Sequence, residues 1–100
     1  MKILTVFALL FSTSLYAEEV VSSYICTHES NDFIRKVKIT HMESGCEVIY
    51  IKSDETDNKL GKVIYSAKNS TDYCDEKGSD FVAEKLEKKY GWICQDELRK

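Results

Sequence analysis

Val20–Ile51, VVSSYICTHESNDFIRKVKITHMESGCEVIYI, is the stretch whose reading decides the fold. Val20 to His28 and Phe33 to His41 are rich in β-branched and aromatic residues, and Glu29-Ser30-Asn31-Asp32 between them is turn-prone. Met42-Glu43-Ser44-Gly45 supplies a second turn into Cys46-Glu47-Val48-Ile49-Tyr50-Ile51. Three strands joined by short turns predict an antiparallel meander. Beyond a polar stretch, Ser53 to Gly61, a fourth strand is expected over Lys62 to Ala67. The acidic run Asp54-Glu55-Thr56-Asp57-Asn58 reads as a mobile hairpin loop, because it lacks the glycine and distal glutamate of a dedicated calcium loop.

A helix follows. Asn69-Ser70-Thr71-Asp72 is a run of good N-caps, with acidic residues in the first turn and Lys85, Lys88 and Lys89 in the last. Gly91 is a natural C-terminal stop. Cys74, Gly78, Phe81, Val82, Leu86 and Tyr90 recur at helical spacing and form the expected buried stripe. Gly78 has two readings: close approach of one long helix to the sheet, or a break with Ser79 or Asp80 capping a shorter helix. The expected fold class is α+β, a four-stranded antiparallel meander sheet packed on one C-terminal helix, with two disulfides.

Outside this core, Met1 to Ala17 reads as an export signal. Met1-Lys2 is a short basic start, Ile3 to Phe11 an apolar run, and Ala17 a small residue before the cut, although the bulky Leu15 leaves the cut free to fall elsewhere. The apolar run falls short of the ~20 residues that span a bilayer. Cleavage near Ala17 would deliver residues 18–100 as a single domain to the periplasm or the exterior. No cysteine adjoins the cut, so no lipid anchor is expected. The 83 remaining residues hold 13 basic against 17 acidic side chains, a net charge of −4, dispersed along the chain. No basic stripe for nucleic acid and no polybasic membrane patch is present.

A domain of this size is marginal without covalent staples. The four cysteines, Cys26, Cys46, Cys74 and Cys94, are spaced by 20, 28 and 20 residues with no close pair, which suits two bridges and not a metal. An unbroken helix rises roughly 24 Å between Cys74 and Tyr90, whereas bridged Cα atoms lie about 4.4–6.8 Å apart. Cys74 and Cys94 therefore belong to opposite ends. A meander sets Cys46 opposite His41 and Cys26 opposite Arg35, favouring Cys46–Cys74 and Cys26–Cys94. A break at Gly78 would restore Cys26–Cys46 with Cys74–Cys94.

Strand alternation sends Tyr24, Cys26, Val37, Ile39, Cys46, Val48 and Tyr50 towards the helix. It sends Ile25, Ile34, Ile49 and Ile51 outwards, with Val63 or Ile64 according to register. That outer face is more apolar than solvent requires. Cover by the N-terminal segment or the long loop, plain β-propensity, and a homodimer or partner face are the competing readings. Trp92 is either packing over a disulfide or a candidate aromatic anchor.

Catalytic signals are missing. The sequence holds no nucleophile elbow, serine–lysine motif or phosphate-cradling glycine loop. His28 and His41 fall at opposite ends of the sheet, so they do not form a metal pair. The carboxylate pairs Asp54/Glu55, Asp75/Glu76 and Asp96/Glu97 read as solvated. No enzyme activity, cofactor or metal is expected.

Tyr24-Ile25-Cys26-Thr27, Cys46-Glu47-Val48-Ile49-Tyr50 with Lys52, Ser66-Ala67, Tyr73-Cys74, Phe81 and Gly91-Trp92-Ile93-Cys94 run through nearly the whole mature chain. In these the chain resembles small, functionally uncharacterised exported (periplasmic) four-cysteine proteins of Gram-negative bacteria. The resemblance implies a periplasmic four-cysteine domain and supplies no catalytic residue. The leading expectation is a non-enzymatic interaction module using Ile25, Ile34, Ile49 and Ile51 against an envelope protein or a second copy, with an inhibitor or immunity protein of an envelope enzyme as its sharper form. The alternative is a small-ligand-binding protein, with Tyr24, Tyr50, Tyr90 and Trp92 lining a pocket between helix and sheet.

Overall fold

Alternating apolar residues do set one face of a sheet against a helix, and the register follows the meander. The computed structural model describes residues 18–54 and 60–98. The expected signal at 1–17 and most of the acidic loop lie outside the described residues. The strands are β1 (Glu19–His28), β2 (Asn31–His41), β3 (Cys46–Lys52), β4 (Lys62–Ala67) and β5 (Ile93–Asp96). The helix α1 (Asp72–Asp80) continues without interruption as a π-helical segment, Phe81–Lys89. All neighbouring strands run antiparallel in the order β4-β3-β2-β1-β5.

Two expectations are corrected. The sheet has five strands rather than four, and the helix is not the last element, because β5 follows it and pairs with the free edge of β1. Four residues so soon after Gly91 are too short a run to announce a strand by periodicity; an open edge on β1 supplies their hydrogen-bond partners. The helix is not broken at Gly78 either. Its change comes at Phe81, where the coil widens.

Local chemistry sets the helix ends. Ser70 Oγ accepts from the Tyr73 N–H at 3.2 Å, so the cap falls one residue earlier than the helix boundary residue Thr71. At the other end the Tyr90 N–H reaches Lys85 O, five residues back, at 3.2 Å. Gly91, with φ of +77°, turns the chain and donates to Glu87 O at 3.0 Å. The Trp92 N–H then donates to Leu86 O at 2.9 Å, delivering the chain to β5.

Cys26, Val37, Ile39, Cys46, Val48, Cys74, Val82, Leu86 and Trp92 form the buried core, with Tyr24 and Tyr50 packed at its margin. These include every inward residue expected from alternation. Gly78 lies against Ile39; a Cβ there would fall 2.6 Å from Ile39 Cδ1 and 2.8 Å from Cγ1. Helix and sheet meet closely because that position carries no side chain. Tyr90, counted on the helical stripe, is instead half exposed, since the widened coil swings it off the core.

Both expected bridges are present, Cys46–Cys74 at the start of the helix and Cys26–Cys94 at its far end. Cys26 and Cys94 occupy directly opposed positions of β1 and β5. None of the cysteines is free. Two disulfides suit an oxidising compartment. Among the described residues no helix is long and apolar enough to cross a membrane.

Candidate functional site

At the Cys26–Cys94 end, helix and sheet splay around a cavity of about 560 Å³. Such a volume lies within the range of small-molecule sites, roughly 300–1,000 Å³. Its walls combine rings and cations. Tyr50, Phe81, Tyr90 and Trp92 supply aromatic surface, Ile64 and Leu86 aliphatic surface, and Arg35, Lys52 and Lys85 positive charge, with His28 and Asn31 at the rim. No aspartate or glutamate is among the described lining residues, although the whole chain carries a net charge of −3.

The π segment builds one wall. An ordinary α-helix aligns residues three and four apart, whereas a π-helix closes hydrogen bonds five residues apart and aligns Phe81 with Leu86 and Lys85 with Tyr90. All four of these residues face the cavity. Phe81 meets Tyr50 edge-on at 5.0 Å between ring centroids, which joins the helical wall to the sheet. The bulge between Val48 and Ile49 in the β3–β4 pairing leaves Ile64 without a partner residue, and Ile64 joins Tyr65 in packing on the core side.

The sheet supplies the charges. Arg35 and Lys52 stand directly opposite each other on β2 and β3, two residues beyond the core positions Val37 and Tyr50 on the same face. Like charges at opposed positions are unfavourable, and both are held by partners. Arg35 Nη1 pairs with Asp54, and its guanidinium carbon lies 4.9 Å from the Trp92 ring centroid. Lys52 Nζ lies 5.5 Å from the Tyr50 centroid. Arg35 Nε is buried and has no hydrogen-bond partner among the described residues. Lys85, on the helical wall, is exposed, with its Nζ 5.9 Å from the Phe81 centroid.

His28 closes the rim. Its Nε2–H donates to Tyr90 O at 3.0 Å, which leaves Nδ1 to accept from the Ser30 N–H and hydroxyl at 3.2 and 2.8 Å. The ring also packs edge-on to Trp92 at 5.0 Å. His41 is engaged at the other end of the helix, with Nε2 2.8 Å from Asp75 Oδ1. Among the described residues no three His, Cys, Asp or Glu side chains gather as a metal site.

The structure thus brings Tyr50, Tyr90 and Trp92 together around one cavity and leaves Tyr24 elsewhere, at the margin of the core. Trp92 is buried and shares the core cluster with Cys26 and Cys94, while also lining the cavity. Ile25, Ile34, Ile49 and Ile51 are half-buried on the opposite face. Val63, not Ile64, joins them there, paired with Ile49. Gly61 lies over two of them: a Cβ on it would meet Ile49 Cγ2 at 2.5 Å and Ile51 Cγ1 at 2.7 Å. The end of the long β3–β4 connection therefore covers part of this face. A shallow hollow of about 340 Å³ remains beside Ile34 and Ile51.

Arg35, Lys52, Phe81 and Lys85 belong to no sequence motif that marks a site. Their signal lies in the alternation, which places Arg35 and Lys52 on the face that otherwise meets the helix; a charge on a core face asks for a partner. No family model, curated protein or solved structure matches the chain.

Proposed function

We propose that this disulfide-stapled domain is a non-enzymatic, exported small-ligand-binding protein whose site is the cavity between the π segment and the sheet. The observation that carries this reading is an aromatic cavity of about 560 Å³ kept open beside a close-packed core. The bridge Cys26–Cys94 ties β5 to β1 beside Trp92, and the Trp92–His28 contact joins two of the lining residues. The described lining offers rings, aliphatic surface and cations, and no carboxylate, thiol or serine hydroxyl is among those residues. Export to the periplasm or beyond accords with the two bridges and with the signal-like Met1 to Ala17.

A fragment screen by amide and indole NMR on the oxidised domain tests it. Shifts clustering on Tyr50, Phe81, Trp92 and Ile64 are the expected result. Shifts confined to the opposite face, or none at any residue, would overturn it.

A second reading keeps the outer face as a protein-binding surface for an envelope protein or a second copy. The hollow beside Ile34 and Ile51 favours it, and the inhibitor or immunity form belongs to this reading. Gly61 over Ile49 and Ile51 reduces the apolar area on offer, and for that reason the cavity is preferred.

A further inference from the structure

Taking the cavity as a ligand site, on which this inference rests, we infer that its ligand is an anion: a small organic molecule with a carboxylate or phosphate head on an aromatic or acyl body. Two features carry this class: the cationic lining and an unpartnered buried donor. Arg35, Lys52 and Lys85 line the cavity with no acidic side chain among the described lining residues, in a chain whose charge is net negative. Arg35 and Lys52 are directly opposed across β2 and β3, which sets two cations side by side at the cavity wall, Arg35 being also paired with Asp54. Arg35 Nε is a buried donor with no acceptor among the described residues. Leaving a buried donor unsatisfied is unfavourable, and an incoming oxygen removes that penalty.

The geometry divides the ligand between two sets of side chains. Asp54 and the Trp92 ring fix the guanidinium of Arg35, so its remaining donors are preorganised for a planar or tetrahedral oxyanion. Tyr50 and Phe81, in edge contact at 5.0 Å, form the adjoining apolar wall. Lys85, exposed on the helical wall, adds a further cation at the cavity's edge. A neutral ligand of the same shape would meet the rings but bring no anionic oxygen to Arg35 Nε, and a cationic one would meet three like charges in the lining. Specificity therefore resides in the head group and volume in the body.

Trp92 is the sole tryptophan of the chain and touches both Arg35 and the cavity, so its fluorescence reports binding directly. Phenylbutyrate, phenylbutyl phosphate, phenylbutanol and phenylbutylamine share one body and differ in head charge. The two acids are expected to bind the oxidised protein about tenfold or more tightly than the alcohol, with the amine weakest. Lys85→Gln, at an exposed position, should weaken both acids without changing the far-ultraviolet spectrum, and Arg35→Gln should abolish the preference over phenylbutanol. Equal binding of acid and alcohol would overturn the anion assignment and leave the cavity reading standing. Binding by none of the four would overturn both. Acid binding indifferent to both substitutions would place the anion elsewhere and overturn the assignment. Retention on phosphatidylglycerol vesicles without phenylbutyrate binding would identify a membrane surface instead and overturn it also.

Discussion

Arg35 and Lys52 face each other across β2 and β3 on the side of the sheet that, two residues away, carries the core residues Val37 and Tyr50. A charged pair of one sign at the edge of a core is unfavourable for folding taken alone. Its position at the cavity, beside a buried guanidinium N–H without an acceptor among the described residues, fits the proposed binding role.

Arg35→Met separates stability from binding. The substitution removes the unsatisfied donor and the like-charge pairing, effects of about 1–3 and 0.2–1 kcal/mol. It also loses the ring contact with Trp92 and a partly exposed ion pair with Asp54, roughly 0.5–1 and 0–1 kcal/mol. The expected outcome in urea unfolding is a stability unchanged or raised by about 1 kcal/mol, with the preference for acids lost. A fall of several kcal/mol would show that the guanidinium serves the fold.

Gly78→Ala is expected to destabilise although alanine is the better helix former. The propensity gain is about 1 kcal/mol. Against it, the added methyl meets Ile39 Cδ1 and Cγ1 at 2.6 and 2.8 Å, and Ile39 is only 2 % exposed. Overpacking of this kind costs about 1–3 kcal/mol, so a net loss of about 1 kcal/mol should appear as a lower urea midpoint at unchanged slope. A raised midpoint would mean that helix and sheet separate freely.

The two disulfides should differ in reach. Loops of 68 and 28 residues correspond to about 4.4 and 3.6 kcal/mol in the chain-entropy model. Cys26→Ala/Cys94→Ala is expected to free β5, a four-residue edge strand, and the adjoining Trp92 wall of the cavity first. Hydrogen exchange should accelerate at Ile93–Asp96 and Trp92 while β2 and β3 stay protected. Uniform acceleration in this variant would contradict that hierarchy. Reduction of both bridges removes a large part of the roughly 5–15 kcal/mol typical of folded domains, and loss of the cooperative transition is the expected result.

Gly61→Val tests the cover over the outer face. Gly61 has φ of +92°, a conformation disfavoured for a β-branched side chain. A Cβ there also meets Ile49 and Ile51. Displacement of this segment would expose both isoleucines. A stability loss of about 1–3 kcal/mol with concentration-dependent association in sedimentation is expected. Association without loss of stability would support the outer face as a native interface.

The amino-acid sequence by itself determined the antiparallel meander, its register and the inward and outward faces, and it favoured the two bridges on condition that the helix ran unbroken through Gly78, which the structure decided. Those features follow from a two-residue alternation over Val20–Ile51, interrupted in β1 between Val20 and Ser22 and between Cys26 and His28, which short turns leave little room to shift further. Cys46 opposite His41 and Cys26 opposite Arg35 appear as alternation requires. Tertiary structure alone decided the rest. Ile93–Asp96 becomes a strand because β1 has an open edge for it, a non-local condition that four residues cannot announce. The coil from Phe81 widens although its apolar spacing suits an α-helix, and only then do Phe81, Lys85, Leu86 and Tyr90 share the cavity wall. Arg35 and Lys52 were legible one by one as charges on a core face. Their convergence with Trp92 and Lys85 depended on where the helix ended, on the turn at Gly91 and on the pairing of β5 with β1, since side chains far apart in the chain meet only once the whole sheet is closed.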